Sequence, residues 1–556
     1  MSESSIHQVW WKEAVIYQVY PKSFYDSNND GIGDIKGIIA KLPYLQKLGI
    51  TMIWVSPFYQ SPMADNGYDI ADYYAVNPDF GSMQDVDDLI VQARAHGIQI
   101  MIDLVVNHTS DEHPWFQDAL AQPLSPYRDY YIFKSGIAGA APNNWRSIFG
   151  GSAWEKVPGE DKYYLHTFHR KQPDLNWENP ALREEIYTMI NWWLEKGIAG
   201  FRVDAITFIK KDQDYGSLPT DGVDGLVSIK KKSRNRPGIE VFLNELKART
   251  FHRFACVTVG EAPGVSLAEY DRFIGPDGYF DMIFDFHAAD IDVESGSEWF
   301  RRRHWTVKEF KETLFASQKA FINSGWGTTF IENHDQPRAL SKLIRNPDFH
   351  NATGAKALAA MYFFMHGTPY IYQGQELGMT NFSRDSIEQF NDISSIDNYH
   401  RAIAEGFTPE QSLAFVNQRS RDNTRTPMPW ANNSYGGFND GAQPWLEFST
   451  RDFTVNAEDQ LQQTNSVFHF YQRMIELRNK IFPDVLIYGA FTPLETEADD
   501  IIAYVRSAGS QRFISITNMS DQPLPYMIPT GEVLLNNYDS VNSCLQPYQT
   551  ILIKGM

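Results

Sequence analysis

The chain has 556 residues, 43% of them hydrophobic and 14% aromatic, and a formal charge of −20. That content buries the cores of two or three domains and excludes a disordered protein. The acidic balance excludes nucleic acid and anionic membrane surfaces as partners, because either needs a basic face, and it favours a neutral ligand.

The opening "MSESSIHQVWWKEAV" has neither a basic leader nor an apolar stretch of secretory length. No later window reaches the ~18 apolar residues of a membrane helix, so a cytoplasmic protein with no membrane contact is expected. Cys256 and Cys544 lie far apart in the sequence. Cys256, inside "FACVTV", reads as a buried reduced thiol, and no disulfide framework exists.

In chain order, the first apolar run is "AVIYQVYPKSF" (14–24), followed at once by "DSNNDGIGD" (26–34). Oxygen-bearing side chains stand at its first, third, fifth and ninth places, with Gly31 at the sixth and the Ile32 carbonyl free to turn inward. This is most of a loop for a hard cation, Ca2+ or Mg2+, with Asp26, Asn28, Asp30, Ile32 and Asp34 as ligands. A twelve-residue calcium loop would end on a bidentate Glu, and here that place is Gly37. Seven further apolar runs begin at Gly49, Gly97, Gly197, Phe254, Phe280, Gly327 and Gly367. Between the runs lie helical patterns, among them 35–48, 83–96, 181–196, 238–247 and 352–366; the aromatic residues of "EEIYTMINWWLEK" and "GIEVFLNELK" read as packing. Eight apolar strands alternating with helices predict a parallel sheet closed into a (β/α)8 TIM barrel.

Two segments interrupt the repeat. Most of 109–196 is rich in Pro, Asn, Trp and Tyr and predicts an inserted domain. Beyond Pro483 the pattern turns to short alternating strands ("IIAYVR", "QRFISITN", "PYMIP", "EVLL", "TILIK"), a C-terminal antiparallel β domain. The expected divisions are 1–108 and 177–483 for the barrel, 109–176 for the insert and 484–556 for the tail, with a loop-rich subdomain at about 380–442. "IKKKSRNR", with Lys230, Lys231 and Lys232, reads as a solvated basic loop.

Barrel chemistry sits at the carboxyl ends of the strands. Asp103 and His108 close the third run, Arg202 and Asp204 the fourth, Glu261 the fifth, and His334 and Asp335 the seventh. Carboxylates gathered at one rim fit acetal cleavage with retention, which needs one ionised carboxylate and one protonated carboxyl about 5–5.5 Å apart. Arg202 and Asp204 share a strand face, so the guanidinium should keep Asp204 ionised for attack. Glu261 has no basic residue beside it in the chain, so desolvation should keep it protonated as the general acid, later the base. Asp335 would grip sugar hydroxyls.

"DLVVNH", "GFRVDAI", "TVGEA" and "ENHD", in this order, resemble the four signature regions of glycoside hydrolase family 13, the α-amylase family. "QPDLN", "ADNGYDI" and "RDNTRTPMPW" are similar to its oligo-1,6-glucosidase subfamily of α-glucosidases. The resemblance spans nearly the whole chain. It implies Asp204 as nucleophile, Glu261 as acid/base and Asp335 as transition-state stabiliser. It implies Asp65, Tyr68, His108, Arg202, His334 and Arg421 around the terminal glucose, with Tyr68 stacking on the sugar and Asp65 and Arg421 closing a blind end, hence exo-action. It also implies a structural Ca2+ or Mg2+ in the 26–34 loop, no organic cofactor, and a monomer or weak homodimer acting on short oligosaccharides.

Other readings of the same resemblance are a sucrose-acting glucosyltransferase or isomerase and a trehalose-6-phosphate hydrolase. The Arg-rich "RLDRD" segment of sucrose isomerases is absent from "ADIDVESGSEWFRRRHW". A transporter-associated scaffold of this family would have a membrane helix and lack the carboxylates. Ala205, directly after Asp204, stands where oligo-1,6-glucosidases carry Val. One or two methyl groups there are worth roughly 1–3 kcal/mol of discrimination. Ala205→Val is therefore expected to raise the isomaltose-to-maltose ratio of kcat/KM, read from initial rates on the two disaccharides.

Overall fold

A computed structural model describes residues 9–294, 298–448, 453–541 and 543–555. All eight apolar runs form barrel strands: β1 (Ile16–Val19), β2 (Met52–Val55), β3 (Gln99–Val105), β4 (Gly200–Asp204), β5 (Val257–Glu261), β6 (Met282–Phe284), β7 (Thr328–Thr329) and β8 (Thr368–Tyr372). They pair in parallel in the order β6-β5-β4-β3-β2-β1-β8-β7. Across the seam between β7 and β6, the Thr328 hydroxyl donates to the Ile283 carbonyl at 3.1 Å.

Period-2 alternation divides each strand between two cores. Tyr17, Ile53, Val55, Ile102 and Val203 face the outer helices. Ile16, Met52, Trp54, Met101, Val257, Val259, Met282 and Phe284 pack together in a second cluster. Two residues on from Met101 the same face of β3 carries Asp103, and two on from Val259 the same face of β5 carries Glu261. The alternation that fills the barrel with apolar side chains thus delivers charge at its carboxyl end.

The outer helices are fixed by local chemistry. Met83–Ala95 starts on a Ser82–Asp85 capping box, and Pro180–Lys196 starts on an Asn179 cap and ends on left-handed Gly197. The expected single helix at 35–48 is two helices, Ile35–Ala40 and Leu42–Leu48, because Pro43 begins a new first turn.

Residues 114–165 carry the helix Pro114–Ala121 and an antiparallel sheet of Phe133–Ser135, Lys162–Leu165 and Trp154–Lys156. A small core of Ile132, Trp145, Trp154, Leu165, Val227 and Ile229 unites this unit with the segment after β4. Trp145–Arg146 also pairs in parallel with Val227–Ser228.

The segment read as loop-rich, 380–442, contains two helices, Ile393–Ala404 and Pro409–Arg419. Asp392 caps the first, and a Thr408–Gln411 capping box with Pro409 in the first turn starts the second. Their buried faces include Ser394, Ser395, Asn398 and Ser412, which hid the apolar period.

The C-terminal sheet is antiparallel and runs Ala490–Pro493, Ile501–Ala508, Gln511–Asn518, Thr550–Gly555, Gly531–Asn536. "PYMIP" is not one of its strands; only Pro525 pairs, within the short ladder Leu524–Pro525 against Cys544–Leu545. Its prolines withhold donors and Met527 stands in solvent. Both cysteines are free and partly buried, and no described helix is long and apolar enough to cross a membrane.

The turn after β8 places Glu376 in full burial, where its Oε1 accepts the hydroxyls of Tyr17 on β1 (2.7 Å) and Tyr44 (2.8 Å). Burial pushes its carboxyl up to about 7, against the pull of those two donors. The folded protein therefore holds a proton that the unfolded chain releases near pH 4.3. This contribution to stability is complete below about pH 4 and is lost as pH rises through about 7. Glu376→Gln should lessen the fall in Tm between pH 5 and pH 8 relative to the parent, as followed by thermal unfolding.

Candidate active site

Arg202 is the centre of the site. Its Nη1 meets Asp103 Oδ1 at 2.5 Å and Asp204 Oδ1 at 2.6 Å, and its Nη2 meets Glu261 Oε2 at 2.7 Å. The register explains the convergence: Arg202 lies opposite Asp103 on β3, and Val203 opposite Gly260 on β5, which brings Asp204 beside Glu261 on neighbouring strands. Adjacent strands stand about 4.7–4.9 Å apart. Ala205, left-handed at φ 42, donates its N–H to Glu261 Oε2 at 2.9 Å and so fixes the second carboxylate from the strand bearing the first.

This arrangement corrects two electrostatic expectations. Glu261 does have a basic neighbour, supplied by the adjacent strand. Asp204 is not simply held ionised: burial pushes its carboxyl well above the usual range, Arg202 opposes this, and Glu261, Asp103 and Asp335 reinforce it. One guanidinium faces three buried carboxylates, so the charged form of Asp204 is disfavoured. Asp103, which also accepts Trp54 Nε1 at 2.7 Å, is pushed up to about 6 by burial against the pull of Arg202.

A second polar chain runs from β1. Gln18 Nε2 donates to His334 Nδ1 at 2.8 Å, which leaves Nε2 of a neutral imidazole as the donor to the Tyr68 hydroxyl oxygen at 2.6 Å. Burial and three arginines hold His334 far below its ordinary pKa. Burial acts upward on Asp335, but His334, Arg421, Arg425 and Arg202 hold it well below the usual carboxylate range. Arg425 Nη2 meets Asp335 Oδ1 at 2.9 Å.

Arg421 links Asp65 (3.0 Å), Asp392 (2.7 Å) and Asp335 (3.4 Å). Asp65 is presented by a tight loop in which Asp69 accepts the N–H groups of Ala64 (2.7 Å) and Asp65 (2.9 Å). His108 donates from Nε2 to the Tyr68 carbonyl at 3.0 Å, and its Nδ1 accepts from the Asn107 amide at 3.1 Å; burial lowers its pKa.

The carboxylates open into a cavity of about 810 Å³. Asp65, Tyr68, His108, Asp204, Ala205, Glu261, Asp335 and Arg421 line it. Arg202 and His334 lie behind the wall, 1% and 0% exposed, and act on the residues in front of them. Tyr68 stacks on His334, with ring planes within 10° and centroids 5.2 Å apart.

Sequence reading passed over Phe149, Phe168 and Phe208, which line one side in edge and tilted contacts of 5.6–5.8 Å. Phe149 belongs to the inserted unit and also covers Arg421 at 5.3 Å. Apolar rings in a loop give no signal in the sequence that separates a sugar-facing wall from a core. The basic cluster is no solvated loop: Lys230–Ser233 is a short helix, Lys231 pairs with Asp221 (3.0 Å), Lys232 pairs with Asp214 (2.7 Å), and Lys230 lines the cavity.

In the 26–34 loop, Asp26 accepts the N–H groups of Asn28, Asn29 and Gly31 at 2.8–3.2 Å, Asp30 accepts that of Ile32 (2.8 Å), and Asp34 caps the next helix through Gly37 N (2.6 Å). Gly31 has φ +92, and a Cβ there would stand 2.3 Å from the Gln443 carbonyl, so only glycine fits. The donor set is all oxygen, the chemistry a hard cation takes. Among the described residues, however, no three His, Cys, Asp or Glu side chains are gathered as ligands of one ion.

Comparison with known proteins bears on all of this. The catalytic domain of alpha amylase matches residues 18–489. The chain is 42% identical to the oligo-1,6-glucosidase of Parageobacillus thermoglucosidasius over 96% of both chains. It is 46% identical to the probable oligo-1,6-glucosidase 3 of Bacillus subtilis (strain 168), covering 93% of this chain and 92% of that one. The crystal structure of isomaltulose synthase from Klebsiella sp. LX3 superposes with a TM-score of 0.93 at 36% identity, covering 99% of this chain and all of that one. With its catalytic-domain match, its near-full-length relatives and a barrel whose strand ends converge on Arg202, the chain belongs to the α-amylase family of glycoside hydrolases.

Proposed function

We propose that the protein is a retaining, exo-acting α-glucosidase that releases glucose from the non-reducing end of short α-1,4- or α-1,6-linked glucosides. The observation that carries this reading is the pair Asp204 and Glu261, held by one guanidinium on adjacent strands, in a cavity that also contains the Asp65–Arg421 ion pair. Close spacing of two carboxyl groups favours retention. Asp204, as the carboxylate, attacks the anomeric carbon while Glu261, as the general acid, gives its proton to the leaving oxygen. Glu261 then takes a proton from water, and the water hydrolyses the glucosyl ester on Asp204. Asp335, kept ionised by its arginines, binds the sugar hydroxyls. Tyr68 supports the glucose from below, while Asp65 and Arg421 close the far end and make the action exo. Transfer of glucose to another sugar uses the same ester with a different acceptor.

The reading places the enzyme in the cytoplasm as a monomer or weak homodimer, in keeping with two unpaired thiols in a long chain. It also includes a structural Ca2+ or Mg2+ in the 26–34 loop, where Asp26, Asn28, Asp30, Asp34 and the Ile32 carbonyl would hold it. The ion would offset the charge of Asp26, Asp30 and Asp34 in the loop after β1 and has no catalytic step.

Incubation with maltose, isomaltose, sucrose and trehalose 6-phosphate in parallel should release glucose from the first two, initially as the α-anomer. Asp204→Asn should lower kcat at least about 10⁴-fold, the scale seen when a nucleophile is removed. Release of the β-anomer, or turnover of the phosphorylated sugar alone, would replace this reading. Dialysis against EDTA should lower the Tm and added Ca2+ or Mg2+ should restore it; an unchanged Tm, with neither metal found by elemental analysis, removes the ion from the proposal.

A further inference from the structure

Arg234 follows the short helix Lys230–Ser233, lines the same cavity as Glu261, and packs on Gly264, three residues beyond Glu261. Its side chain lies flat on the turn after β5: a Cβ on Gly264 would stand 2.5 Å from Arg234 Nε and 2.8 Å from its Cδ. Gly264, at φ +81, is both the residue that permits the turn and the one that leaves this seat open.

The other arginines of the cavity wall have acidic partners. Arg303 pairs with Glu309, Arg419 with Asp290 and Asp292, and Arg421 with Asp65 and Asp392. Among the described residues Arg234 has none; burial lowers its pKa and no carboxylate offsets the effect. A guanidinium carries five donors and stays charged. Lining an open cavity, these donors are free to meet acceptors on a bound molecule.

We propose that Arg234 is a specificity residue for the leaving-group sugar, donating to its hydroxyl oxygens while Glu261 protonates the bond that breaks. This rests on the α-glucosidase reading. The glucose end is occupied by Arg421 and Asp65, whereas Arg234 lies on the turn that carries the proton donor, where the leaving oxygen departs. Glu294 lines the same cavity and offers an acceptor for hydroxyl groups of a neutral sugar.

The test compares Arg234→Gln and Arg234→Lys with the parent on maltose, isomaltose and p-nitrophenyl α-glucoside, whose leaving group has no hydroxyl substituents. For Arg234→Gln, kcat/KM on both disaccharides should fall about ten- to a hundredfold, the range for losing hydrogen bonds to a charged group, mainly through KM. The lysine variant should fall less, and the aryl glucoside should be nearly unaffected by either. Tm measured alongside confirms that the variants fold. An equal loss on all three substrates would make Arg234 a support of the Glu261 turn, and no loss on any would make it inert; either overturns the proposal. A parent inactive on all three overturns the α-glucosidase reading and this proposal with it.

Discussion

One buried cation serves three buried carboxylates, and the rest of the site follows from that imbalance. Arg202 cannot be removed without leaving Asp103, Asp204 and Glu261 to repel one another in a medium that solvates none of them. Nor can it satisfy all three as anions. Burial beside the other two carboxylates pushes the Asp204 carboxyl upward against the pull of Arg202, and double displacement at a glycosidic carbon uses one ionised and one protonated carboxyl held close together. The same constraint explains Trp54 beneath Asp103 and the Ala205 N–H on Glu261: each neutral donor takes part of a charge that the guanidinium leaves uncovered.

A separate set of charges works in the opposite sense. Asp335 is surrounded by Arg421, Arg425 and a neutral His334 and stays ionised, while Asp204 a short distance away is pushed toward its acid form. Two carboxylates of like chemistry thus shift in opposite directions because their neighbours differ. Burial and the arginines keep His334 neutral, and Gln18 on β1 selects its tautomer, so the polarity of the site depends on a strand that carries no carboxylate of its own.

The barrel supplies the reacting groups, but the cavity is built by its additions. Phe149 and Phe168 come from the inserted unit, and Ser394, Arg419 and Arg421 from the helix pair and the segment after it. These pieces are joined by the pairing of Trp145–Arg146 with Val227–Ser228 and by Arg421 reaching to Asp65.

The sequence by itself determined the eight strands, because fully buried parallel strands must be continuous apolar runs. It also determined the rim residues, because charge at the end of such a run has no packing purpose. Asp204, Glu261 and Asp335 stand out for the same reason, whereas Asp65 and Arg421 lie in loops and were marked only by the resemblance of their segments to the family. Only the tertiary structure decided how Arg202 divides its charge, since that depends on the register of β3, β4 and β5 and not on neighbours along the chain. Only the structure revealed the helices Ile393–Ala404 and Pro409–Arg419, whose buried faces are partly polar, and the ring wall of Phe149, Phe168 and Phe208, whose function lies in a position that no local pattern encodes. Spacing along a strand is a local property; the partner across the sheet is not, and it is the partner that sets the charge.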